Sequence, residues 1–177
     1  MYEVIKFMIN RDWEKDYKQE RKIYLLNIAK ECENSEKIAD TIGGILIYNQ
    51  LVEQFLKETI ICSISYIKAE IWPSSVQMNL DFDKATFGVL IEYFKQFAVK
   101  EYNRDVILKY LKDIKKTRND TVHRLFEIKD IKNLKNELND YYGKSFELVM
   151  LLNEYYNEIC WKLDDLSERI DWNDFCE

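Results

Sequence analysis

Proline is nearly missing from this chain of 177 residues, which has a single one, Pro73, and only four glycines. Strand signals are nearly absent too, so long helices can run without interruption and a sheet-built fold is not expected. Histidine occurs once, as His123. A ferritin-like metal bundle needs Glu-x-x-His on two helices, and one histidine cannot supply that. Four cysteines, Cys32, Cys62, Cys160 and Cys176, show neither CxxC spacing nor a histidine close by, so neither a zinc site nor a thiol-redox motif is indicated. They read as reduced, partly buried cysteines of a cytosolic protein.

Other features are equally sparse. No apolar run approaches the roughly 18 residues that a membrane span needs. The N-terminus carries acidic Glu3, lacks a sustained apolar core and has no small-residue cleavage site, which argues against a signal peptide. A cytoplasmic location without membrane contact is the expectation. Gly43-Gly44 lacks the GxGxxG or GxxxxGK[ST] context of a phosphate loop, so close helix packing or a kink is the better reading. Asp81 and Asp83 have a spacing that invites magnesium, but without a second carboxylate cluster or a nucleotide motif they are read as caps. Neither a metal site nor a cofactor is expected.

Hydrophobic residues make up 47% and charged residues 33%, the balance of a soluble globular chain. One domain over 1–177 is expected, with 1–34 as a helical extension, 35–170 as the bundle core and 171–177 as a tail. Residues 2–34 read as one long or once-broken helix whose charged run from Arg11 to Lys22 is too polar all round to be buried. Asn34 and Ser35 form a cap signal for an unusually apolar helix reaching Glu70, the candidate central core helix, which ends at Trp72-Pro73. A helix from about Lys84 to Val99 follows, capped by Asp81 or Asp83, then one from Asn103 to Phe126. Asp130 opens the last helical region, 131–170, rich in aromatic residues and a candidate for bending near Gly143. Its aromatic series reads as core and interface packing rather than a base-stacking platform. Four to five long helices with short links make an all-α helical bundle.

A formal charge of -6 discourages a nucleic-acid reading, yet the distribution is uneven. Residues 109–135 hold nine basic and four acidic groups, a balance of +5 that leaves -11 for the rest. Such a patch suits a specific anionic ligand, unless it is an ordinary solvated face. Within the fourth helix Ile107, Leu111, Ile114, Val122 and Leu125 form an apolar stripe, and Arg118 falls in its middle. At about 100° per residue, Asn119 and His123 project to the far side with Lys109, Lys112 and Lys116. An arginine on a core-facing seam needs a carboxylate, a phosphate or carbonyls for its donors, and a structural salt bridge would satisfy it.

The run Arg118-Asn119-Asp120-Thr121-Val122-His123 resembles the Rx4-6H motif of the HEPN superfamily. The asparagine after the arginine, the position near a helix end in the second half of an all-helical chain, and the apolar helix around 45–67 resemble that family as well. The resemblance implies a metal-independent endoribonuclease, often a toxin or anti-phage effector, acting as a homodimer with the motif helix at the interface. In that reading His123 takes the ribose 2′-hydroxyl proton, Arg118 stabilises charge on phosphorus, Asn119 orients ring or phosphate, and a 2′,3′-cyclic phosphate results. Lys109, Lys112, Lys116 and Arg124 would hold the RNA backbone. An antitoxin or nucleotidyltransferase partner is possible in such a family, but the tyrosine that often stands two residues after the histidine is here Leu125, and neither Tyr102 nor Tyr110 can be substituted for it by argument.

Two other readings stay open: a HEPN-like module that holds a nucleotide or RNA without cutting it or serves as a partner subunit, and a structural helical protein. Arg118 bonded permanently to an internal carboxylate such as Glu53 or Glu92 favours the binding module; Arg118 and His123 open to a shared cleft favour catalysis.

Overall fold

The computed structural model describes residues 11–71, 80–82, 84–100, 103–124 and 131–169, with side chains except at 11–19, 38, 120–124, 131–135, 137 and 167–169. All regular structure among them is helical: α1 (Arg11–Glu33), α2 (Ile38–Glu70), α3 (Phe87–Phe97), α4 (Arg104–Arg124) and α5 (Ile131–Arg169). The protein is all-α, as the scarcity of proline and strand patterns implies. The chain divides into two compact units, 1–51 and 52–177, with the division inside α2.

In the first unit, α1 leads through a short turn into α2. Ser35 holds that turn: its hydroxyl accepts from the Lys37 N–H at 3.2 Å and donates to the Asp40 carboxylate at 2.6 Å. The first helical bonds are taken by Lys37, whose carbonyl accepts from the Asp40 and Thr41 N–H groups, so the serine closes the turn before the helix and does not stand at the cap position. Ala29, Ile45, Tyr48 and Leu51 are buried. So is Lys22, which corrects the expectation that the charged run of α1 lies wholly outside. The physical reason is the lysine stem, whose four methylenes can cover apolar surface. Gly43 and Gly44 lie within continuous helix, a setting that gives no phosphate loop.

The second unit is a bundle of the remainder of α2 with α3, α4 and α5. Three cross-helix pairings between α2 and α5 rise together in number: Thr59 with Leu152, Cys62 with Cys160, and Tyr66 with Lys162. These two helices therefore run in the same direction. Tyr155 reaches the Val99 carbonyl while Glu147 meets Tyr110, so α4 is antiparallel to α5. Arg104 bonds the Lys95 carbonyl at 2.7 Å and Lys115 approaches Gly88, which makes α3 antiparallel to α4. This arrangement brings the far end of α4 to the middle of α2 and the start of α3.

Local chemistry matches these roles. Thr59 and Ser63 sit fully buried in α2 because their hydroxyls donate to the carbonyls of Phe55 and Thr59, at 2.7 and 2.9 Å. Tyr141, Tyr142 and Tyr155 of α5 are buried, Phe146 and Tyr156 are half-buried, and Trp161 stands 73% exposed, so core packing accounts for only part of the aromatic series. Helix α5 continues through Gly143 without interruption. Helix α3 starts at Phe87, three residues later than expected, and Thr86 caps it by accepting from the Val89 N–H at 3.4 Å. Asp81 instead accepts from the Lys84 N–H, closing a turn upstream. Extended backbone at Thr86 lets the chain enter the helix where the apolar face begins.

Candidate functional site

Helix α4 positions every residue singled out for chemistry. It begins after Asn103, whose φ of 56° suits an asparagine, and the Asn103 carbonyl accepts the first helical bond from Ile107 at 2.9 Å. At its described positions the apolar stripe is where the spacing puts it: Ile107 and Leu111 are fully buried and Ile114 nearly so, while the side chain of Val122 and residue 125 lie outside the described residues. Each such side chain contributes roughly 1.5–3 kcal/mol relative to an exposed one, which fixes the rotation of α4 about its axis.

That rotation decides the positions of the basic groups. Lys109, Lys112, Lys116 and Asn119 are exposed and fall within an arc of about 80° on the solvent side. Lys115 is exposed on another flank, where its Nζ would lie 3.1 Å from a Cβ at Gly88. Tyr110 is tied to the Glu147 carboxylate of α5. That hydrogen bond, then desolvation and the charges of Glu147 and Asp113, raise the phenol above its ordinary pKa.

Arg118 lies on the opposite side from Lys109, in line with the apolar stripe. Its Nη1 donates to Glu53 Oε1 of α2 at 2.6 Å, and its guanidinium carbon stands 5.5 Å from the centre of the Phe87 ring. The two charged side chains are 35% and 32% exposed, so water still reaches the pair. A carboxylate is one of the partners a seam arginine calls for, and Glu53 is one of the two the sequence offers; Phe87, which begins α3, has no signal in the sequence. Glu92, the other carboxylate, pairs with Lys95 at 3.5 Å.

Position 123 lies in the last turn of α4, about 140° around the helix axis from position 118. The side chains of His123 and Arg124 lie outside the described residues, as do those of Asp120, Thr121 and Val122. The structure thus brings together Arg118, Glu53 and Phe87 on one side of α4, and Lys109, Lys112, Lys116 and Asn119 on the other. Among the described residues no group of three or more histidine, cysteine, aspartate or glutamate side chains could hold a metal ion. No helix among them is long and apolar enough to cross a membrane. Compared with family models, curated proteins and solved structures, the chain has no match.

Proposed function

We propose that the chain is a HEPN-like RNA-binding module whose α4 presents a phosphate-contacting face. The observation that carries this reading is the separation of the two basic features of α4. Arg118 is neutralised by Glu53 at 2.6 Å, the arrangement that favours binding over cutting, while Lys109, Lys112, Lys116 and Asn119 stay exposed on the other side. From Lys109 to Asn119 the row extends about 15 Å at 1.5 Å per residue. A nucleic-acid strand advances about 3.4 Å per nucleotide in a duplex, so the row matches several phosphates rather than one nucleotide. The +5 balance of residues 109–135 supplies attraction, and the acidity of the rest discourages indiscriminate contact.

The test is fluorescence anisotropy with a labelled single-stranded RNA across a salt series. Wild type binds, and the Lys109→Glu, Lys112→Glu, Lys116→Glu triple variant loses at least about tenfold in affinity and shows a shallower dependence on salt. Absence of binding by wild type at low salt, or equal binding by the variant, overturns the reading.

Partial exposure of Arg118 favours a second reading, the metal-independent endoribonuclease of HEPN type. An ion pair open to water contributes only about 0–1 kcal/mol, so an incoming phosphate can displace Glu53 from the guanidinium. His123 would then accept the 2′-hydroxyl proton, Arg118 would stabilise the five-coordinate phosphorus, and Asn119 would orient the group between them. The angular separation of positions 118 and 123 requires a second copy of the chain to complete the cleft, with α4 at a twofold interface. A cytoplasmic toxin or anti-phage effector restrained by an antitoxin or a nucleotidyltransferase belongs to this reading.

A further inference from the structure

We propose that Cys62 and Cys160 form a dithiol site that closes to a disulfide on oxidation by a small-molecule disulfide, fastening α2 to α5. Their Sγ atoms stand 3.3 Å apart although 98 positions separate them in the chain. A disulfide needs about 2.05 Å between sulfurs, so closure requires an approach of only a little over 1 Å, shared by two side chains. The contacts on either side keep the sulfurs opposed: Thr59 reaches the Leu152 carbonyl at 3.5 Å, and the Lys162 ammonium lies 5.8 Å from the centre of the Tyr66 ring. Both anchors belong to the same two helices as the cysteines.

The two thiols differ in access. Cys62 is 2% exposed, whereas Cys160 is half-buried and borders exposed Trp161. Cys160 therefore meets the oxidant first. Its thiol loses a proton, and the thiolate attacks one sulfur of the small disulfide; that S–S bond breaks and one small thiolate leaves and takes up a proton. A mixed disulfide on Cys160 results. Cys62 then loses its proton and attacks the Cys160 sulfur, the second small thiol departs protonated, and the internal disulfide is complete. Two protein thiols are oxidised, one small disulfide is reduced to two thiols, and protons balance. Cys32 is disfavoured as a competitor, because burial and the charges of Asp40 and Glu31 push its thiol up.

Full-length reduced protein is incubated with oxidised glutathione, quenched with N-ethylmaleimide and mapped by peptide mass. The expected product is one cross-linked peptide pair containing Cys62 and Cys160, reversed by dithiothreitol. The cross-linked protein has a higher urea midpoint than the reduced form, as closing a long loop predicts. Cys62→Ser arrests the reaction with glutathione retained on Cys160. Alkylation of both cysteines without a cross-link, glutathione held stably on Cys160 of wild type, or a cross-link to Cys32 or Cys176 each overturns the proposal. The wild-type map decides the matter even if the Cys62→Ser variant does not fold.

Discussion

Arg118 and Glu53, 65 positions apart, share a 2.6 Å hydrogen bond between α4 and α2. This contact places a guanidinium in line with an apolar stripe without leaving its charge unmatched. It also keeps the arginine away from the lysine row of its own helix. How firmly the pair is held determines whether Arg118 is a fixed strut or a group that a phosphate can recruit.

A double-mutant cycle over Arg118→Ala and Glu53→Ala measures that hold. With both side chains about a third exposed, the expected coupling is about 0.5–1 kcal/mol by urea unfolding. Arg118→Ala alone costs more, about 1–2 kcal/mol, because the stem and the Phe87 ring contact are lost with the charge. A coupling of about 3 kcal/mol or above would mark the pair as the buried kind and leave no guanidinium for phosphate.

RNA cleavage discriminates the two functional readings directly. On the nuclease reading, purified wild type cuts RNA in excess EDTA and leaves 2′,3′-cyclic phosphate ends, while His123→Ala and Arg118→Ala each lose at least about a hundredfold in rate. It also sediments as a dimer at micromolar concentration. Intact RNA in the presence of wild type, with binding retained, leaves the non-cutting module as the function. A requirement for added metal excludes the 2′-hydroxyl route proposed for His123.

Much of this architecture could be read in advance, for reasons that differ by residue. Ile107, Leu111 and Ile114 recur at helical spacing, and burial follows because a periodic apolar face has one stable orientation. Glu53 could be named as a candidate because a carboxylate in an apolar helix can match a seam arginine. Phe87 could not, since its meeting with Arg118 depends on how α3 folds back along α4. The same holds for Cys62 and Cys160: their sequence spacing matches no thiol motif, and only the shared direction of α2 and α5 brings them within 3.3 Å. The division at Leu51 lies within a continuous helix and carries no linker composition to reveal it.

Thr86 and Gly88 offer a test of how α3 is begun. Removing the Thr86 hydroxyl with Thr86→Ala leaves the Val89 N–H without its cap and costs about 1 kcal/mol. Gly88→Ala has the opposite sign. The added Cβ comes tightly against the end of the Lys115 side chain, at 3.1 Å, which can swing aside, and is in ordinary contact with Thr86 Oγ1 at 4.0 Å. Alanine is favoured over glycine in a helix interior by about 0.5–1 kcal/mol; Gly88 is the second residue of α3, where only part of that advantage applies, so stability rises by less than about 0.5 kcal/mol in thermal unfolding. A loss of stability in Gly88→Ala would mean that Lys115 is anchored there.

Alkaline pH separates the folded and unfolded chains through buried phenols. Burial, then the charge of Glu33, pushes Tyr48 from its ordinary value of 10 up to about 12. Tyr155 is raised as well, first of all by burial. Below pH 10 these phenols are protonated in both states and add no slope. Between about pH 10 and pH 12 the unfolded chain gives up the Tyr48 proton while the folded chain keeps it, so the unfolded state binds fewer protons and stability falls as pH rises. At about 1.4 kcal/mol per unit, Tyr48 accounts for a loss on the order of 2 kcal/mol across that window. Urea midpoints at about pH 8 and about pH 11.5 for wild type and Tyr48→Phe test this, because only the wild type has a Tyr48 phenol to ionise. The variant should show the smaller fall; an equal fall in both proteins would assign the alkaline loss to other groups.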